Sequence, residues 1–111
     1  MDLLTFEPIL KTTRWGGRRL GTVLNKSIGQ GNRYAESWEI ADFEKDQSYV
    51  NQGLYQNWSL NELITHHQKD LLGIHSGYKQ FPILVKYLDV SDRLSLQVHP
   101  DDEYTQLHNL K

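Results

Sequence analysis

Gln97 and His99 stand two positions apart in the run Leu94-Ser95-Leu96-Gln97-Val98-His99-Pro100. Side chains alternate faces along a strand, which would put Ser95, Gln97 and His99 on one face and Leu94, Leu96 and Val98 on the other. A neutral imidazole is a common zinc ligand, and an amide carbonyl oxygen is a harder, weaker one. Neighbours on one strand face lie close enough to share an ion. The same spacing also describes a polar strand face open to solvent, the commoner use of two such residues. Lys86 lies inside Phe81-Pro82-Ile83-Leu84-Val85-Lys86-Tyr87-Leu88, where an ammonium group must pair, snorkel or point into a polar cavity. A cavity for an anionic substrate would suit it, and so would an exposed amphipathic edge. Glu36 and Glu39 flank Trp38. A carboxylate carried inward beside that indole needs hydrogen bonds or a cation, whereas a surface position needs neither. Trp15, next to Gly16 and Gly17, either caps a cavity or fills a gap in the core. His66 and His67 are consecutive on a helical stretch and do not face each other, so they make no joint metal site. His75 and His108 show no ligand spacing.

The elements that must hold these groups are mostly extended. Leu3 to Leu10 reads as an edge element interrupted by Glu7 and Pro8. Trp15-Gly16-Gly17 reads as a turn, and Ser27 to Asn32 as a loop. Tyr34 to Ile40 alternates as a strand, with Ala35, Ser37 and Glu39 on one face and Glu36, Trp38 and Ile40 on the other. One helix is predicted from about Leu60 to Leu72. Ser59 is its N-cap and Glu62 completes a capping box. Leu60, Leu63, Ile64, His67 and Leu71 follow one helical face, and Gly73 is the stop. Phe81 to Val90 reads as another strand, joined through Ser91 and Asp92 to Leu94–His99 as a hairpin. Asp101, Asp102 and Glu103 make an acidic turn that can open a helix.

Composition narrows the function classes. With 111 residues the chain holds one domain with a modest core. A net charge of −2 points away from nucleic acid and anionic membranes as partners. There is no cysteine, so any metal must use His, Gln, Asp or Glu. No basic-then-apolar leader and no membrane-length apolar stretch is present, and the expectation is a cytoplasmic protein.

Four segments taken in order resemble the N-terminal part of the type I mannose-6-phosphate isomerase family, zinc enzymes of the cupin superfamily. They are Trp15-Gly16-Gly17 with Leu20, Tyr34-Ala35-Glu36-Ser37-Trp38-Glu39-Ile40, Phe81-Pro82-Ile83-Leu84-Val85-Lys86-Tyr87-Leu88-Asp89, and Leu94-Ser95-Leu96-Gln97-Val98-His99-Pro100-Asp101. The resemblance implies a mainly β fold with an inserted helix, namely an incomplete cupin (jelly-roll β-barrel) domain over residues 1–111. It implies zinc-dependent interconversion of mannose 6-phosphate and fructose 6-phosphate, with a sugar phosphate as the small-molecule partner. Gln97 and His99 match the family's first two zinc ligands. Lys86 and Glu36 match catalytic-pocket residues, and Trp15, Ser95 and Lys86 match residues that meet the substrate. The family's later Glu, its distant second His and a downstream basic residue have no counterpart here. The chain is therefore expected to be a fragment of a longer enzyme and inactive by itself. A non-catalytic cupin-like sugar-binding module and a truncated remnant are the alternatives. Oligomeric state is not legible.

Overall fold

A computed structural model describes residues 1–109. Its centre is a three-stranded antiparallel sheet in the order β1-β2-β3, with β1 at Ile9–Gly17, β2 at Tyr34–Ile40 and β3 at Val85–Leu88. The middle strand β2 falls where the alternation places it. Ala35 and Ser37 are fully buried on one face, and Glu36, Trp38 and Ile40 lie half-buried on the other. Opposite residues in an antiparallel pair share a face. The register Lys11↔Glu36, Ile9↔Trp38 and Trp38↔Lys86 therefore gathers Ile9, Lys11, Glu36, Trp38 and Lys86 on one side of the sheet.

Trp15-Gly16-Gly17 is not a turn but the end of β1. Thr12 and Gly17 both pair with Tyr34, so the residues between them bulge away from the ladder. The glycines serve close approach. A Cβ at Gly16 would lie 2.5 Å from the Ala35 nitrogen, and one at Gly17 would lie 2.9 Å from an Asp89 carboxylate oxygen. The chain turns only afterwards, into α1 at Arg19–Thr22, which buries Leu20. The expected loop at 27–32 is irregular, and the edge character read for the N-terminal run appears in Ile9 and Leu10, the start of edge strand β1.

The predicted single helix is two. α2 spans Leu60–His66 and α3 spans Gln68–Leu72, and a 3-10 turn over Gly73–His75 follows. Ser59 caps α2 as expected, its Oγ accepting from the Glu62 amide at 3.1 Å, and Gly73 takes the positive φ of 56° that ends α3. The break is at His67, whose backbone leaves the helical region while its ring packs on Tyr55 and Trp58 at centroid distances of 5.0 and 5.4 Å. Leu60, Leu63 and Ile64 of α2 join Leu20, Ala35, Ala41 and Val50 as the buried core.

The hairpin is not formed. β3 is confined to Val85–Leu88 and pairs with β2, and Leu94–His99 carries no strand. Leu96 and Val98, on the apolar face of the expected strand, are 97% and 86% exposed. A strand exists only through a partner ladder, and among the described residues nothing pairs with this segment. α4, at Asp102–Leu107, starts at the acidic turn with Asp101 as N-cap. The radius of gyration is 16.4 Å and the extents are 42 × 41 × 20 Å, flatter than the roughly 13 Å expected of a closed domain of this length. No barrel is closed among the described residues. No helix there is long and apolar enough to cross a membrane.

Candidate functional site

The sheet register solves the problem that Lys86 posed. Lys86 stands opposite Trp38 and beside Glu36, and its ammonium donates to Glu36 Oε1 at 2.5 Å. The carboxylate is mostly buried and the lysine about one-third exposed, so the pair sits at the rim of the sheet face, not deep in a core. The two strands bring together groups fifty positions apart in the chain. They also bring Trp38 against both lysines of this face. Lys86 lies 5.6 Å and Lys11 4.7 Å from the centre of its ring. Lys11 is in turn paired with Asp46 at 2.6 Å. Neither Lys11 nor Trp38 was among the expected site residues. The signal available was that Trp38 shares Glu36's face, but Lys11 could be found only once the β1 register was known.

Of the other expected residues, Ser95, Gln97 and His99 lie along the exit from β3, and Trp15 lies in β1. Asp89 is buried, and its amide donates to the Ala35 carbonyl at 2.8 Å. The Arg19 amide and Nε donate to its two carboxylate oxygens at 2.8 and 2.7 Å, and Ser91 Oγ donates at 3.1 Å. Burial alone would raise this carboxyl's pKa. The hydrogen bonds from Arg19 and Ser91, with the guanidinium charge, outweigh it and hold the pKa below the ordinary carboxylate value. The Ser91 amide donates to the Trp15 carbonyl at 2.8 Å. Trp15, half-buried in the β1 bulge, is thereby tied to the base of the segment that carries Ser95, Gln97 and His99.

On that segment Gln97 Nε2 donates to Ser95 Oγ at 3.4 Å, so these two side chains do share a side. The Gln97 carbonyl oxygen, the atom able to ligate a metal, takes no hydrogen bond among the described residues. His99 Nδ1 lies 2.8 Å from the Pro100 carbonyl oxygen. A proton donated there fixes the tautomer that leaves Nε2 free to ligate. His99 also lines an open cleft of about 570 Å³ with Val98, Pro100, Asp101 and Tyr104. The donor chemistry of Gln97 and His99 therefore fits a zinc ion, as two neutral ligands of a larger set. Among the described residues no three His, Asp or Glu side chains gather to complete one. The structure thus yields two half-assemblies: Glu36 with Lys86 on the sheet, and Ser95 with Gln97 and His99 on the exposed segment. No hydrogen bond or ion pair joins them among the described residues.

Residues 3–111 match the family described as phosphomannose isomerase type I, catalytic domain. Mannose-6-phosphate isomerase ManA of Bacillus subtilis is 40% identical over 95% of this chain, which spans 32% of that protein. Mannose-6-phosphate isomerase of Streptococcus mutans is 38% identical over 85% of this chain, covering 29% of its own length. A crystal structure of the mannose 6-phosphate isomerase from B. subtilis superposes with a TM-score of 0.86 at 32% identity, covering 98% of this chain and 34% of that one. The chain spans about one third of the length of the relatives it matches.

Proposed function

The chain belongs to the phosphomannose isomerase type I family, and from that membership we propose that it forms the front of a zinc-dependent enzyme interconverting mannose 6-phosphate and fructose 6-phosphate. The observation that carries the reading is the continuous family match over residues 3–111. The meeting of Glu36 with Lys86 supports it, because a paired carboxylate and ammonium at the rim of a sheet face suit a polyhydroxylated anion. In the whole protein the sheet belongs to a cupin jelly roll. Further strands would pair along the free outer edge of β3 and with Leu94–His99, covering the exposed faces of Val85, Leu96 and Val98.

Aldose–ketose isomerisation moves a proton between C1 and C2 through an enediol. A zinc ion held in part by Gln97 and His99 supplies Lewis-acid stabilisation of charge on a sugar oxygen when bound. The chain's own residues bind and orient the substrate. Lys86 has three donors and spends one on Glu36, which leaves two for phosphate or hydroxyl oxygens. Glu36 accepts from sugar hydroxyls, and as the carboxylate of the pair it belongs with Lys86 in the catalytic set. Ser95 offers a hydroxyl beside Gln97, and the Trp15 ring forms an apolar wall. Trp15, Ser95 and Lys86 are the substrate-binding group. Groups carried on a sheet hold their positions better than groups on loops. A cytoplasmic location suits a charged sugar phosphate.

The test is His99→Ala in the protein that contains this chain, with zinc measured by atomic absorption and turnover by coupled assay. Zinc affinity should fall by more than the roughly 10–100-fold lost when only a ligand's outer-shell partner is mutated, zinc content should fall, and turnover should fall with it. Unchanged zinc and unchanged turnover would overturn the assignment.

A further inference from the structure

Trp38 lies at the centre of the Glu36–Lys86 face, yet neither the proposed metal site nor the proposed substrate contacts use it. Its indole Nε1–H is buried and has no hydrogen-bond partner among the described residues. Burying that donor unpaired is unfavourable, so the polar end of the indole does not explain why a tryptophan stands here. The ring does. The Lys11 and Lys86 ammonium groups lie 4.7 and 5.6 Å from its centre, within the range over which an aromatic face attracts a cation. They arrive from opposite neighbours of β2, Lys11 on β1 and Lys86 on β3. Each is also held by a carboxylate, Lys11 by Asp46 at 2.6 Å and Lys86 by Glu36 at 2.5 Å. A lysine stem is otherwise free to rotate. An ammonium fixed between a carboxylate and a ring has lost that freedom before any ligand arrives, which favours binding by preorganisation.

We propose that Trp38 is a positioning residue. Its ring fixes the Lys86 ammonium for a sugar phosphate, and the Lys11–Asp46 pair braces the indole from β1. The inference rests on the substrate role proposed above for Lys86.

Carbon-13 relaxation of the Lys86 ε-methylene in the protein that contains this chain tests this without reference to turnover. In the native protein this group should be markedly more ordered than that of exposed Lys45, and equal mobility would overturn the proposal. Trp38→Phe should keep most of the order. Trp38→Leu should lower it markedly while circular dichroism stays native, the Glu36 pair alone remaining, and a Lys86 as ordered as in the native protein would overturn the proposal. Should Trp38→Leu unfold, Glu36→Gln decides: with the ion pair removed the ring should still hold Lys86 more ordered than Lys45, and equal mobility would overturn the proposal. In the isomerase assay Trp38→Leu should lower kcat/KM roughly fivefold, chiefly through KM, in line with loss of one cation–π contact. Zinc content should be unchanged, and an unaltered KM would count against the proposal. Inactivity of the whole protein that contains this chain would sink the isomerase reading, and the relaxation data would still decide the role of Trp38.

Discussion

Residues 34–40 and 94–99 both read as strands from their sequence, and they end in opposite conditions. In the first, Ala35 and Ser37 are fully buried and the strand is paired on both sides. In the second, Leu96 is 97% exposed and no ladder forms among the described residues. Alternation assigns side chains to faces; it does not supply the surface that buries either face. β2 has β1 and β3 as neighbours within the chain. Leu94–His99 has none among the described residues, and so the two candidate ligands it bears stand on an extended segment with no sheet beneath them.

The comparison is sharpened most by paired core substitutions. Leu63 is fully buried in α2, and Leu63→Ala should remove about 3 kcal/mol of stability. Leu96→Ala deletes the same atoms from a side chain already in water in the 111-residue chain, and should change the stability of that chain by less than about 0.5 kcal/mol. Urea unfolding of both variants in parallel measures the difference. Equal losses would mean that the 94–99 segment is packed after all.

A smaller effect is expected where the two regions are joined. Asp89 and Arg19 fasten the end of β3 to the start of α1, and Ser91 fastens the next turn to Trp15. Asp89→Asn leaves the guanidinium without its buried anion and should cost about 2 kcal/mol at neutral pH, discounted because Arg19 is more than half exposed. The pH dependence has a definite sign. The folded carboxyl titrates below the unfolded value of about 3.9. Its stabilisation is therefore complete above that value and is lost as pH falls through the lower, folded pKa. Native and Asp89→Asn stabilities should converge in acid. Curves that stay parallel down to about pH 2 would remove Asp89 from the acid limb.

What could be read in advance divides along the same line. The bounds of β2, the Ser59 cap, the Gly73 stop and the Asp101 helix start are all local, set by a few consecutive residues and the backbone groups they satisfy. Trp15-Gly16-Gly17 misled because its glycines answer to Ala35 and Asp89, remote in sequence, and not to a local turn. The pairing of Glu36 with Lys86 depends on strand register, which neither segment encodes alone. The side chains could be nominated singly or through family resemblance. Their contact, and the two lysines on Trp38, could not.

Helix caps give the finest test of the contrast, because the same interaction occurs in both regions. Ser59 Oγ accepts the Glu62 amide at 3.1 Å, and an Asp101 carboxylate oxygen accepts the Tyr104 amide at 2.8 Å. By hydrogen-bond geometry alone the second cap is at least as good as the first. α2, however, buries three side chains and α4 buries none. A helix this short does not hold in water without tertiary packing, so its cap contributes only to local order. Ser59→Ala should therefore lower global stability by about 1 kcal/mol. Asp101→Ala should leave the unfolding midpoint in place and show itself only as faster hydrogen exchange at the Tyr104 amide. If Asp101→Ala moves the global midpoint as far as Ser59→Ala does, α4 unfolds together with the β1–β2–α2 unit. The boundary between the two regions would then lie beyond residue 107.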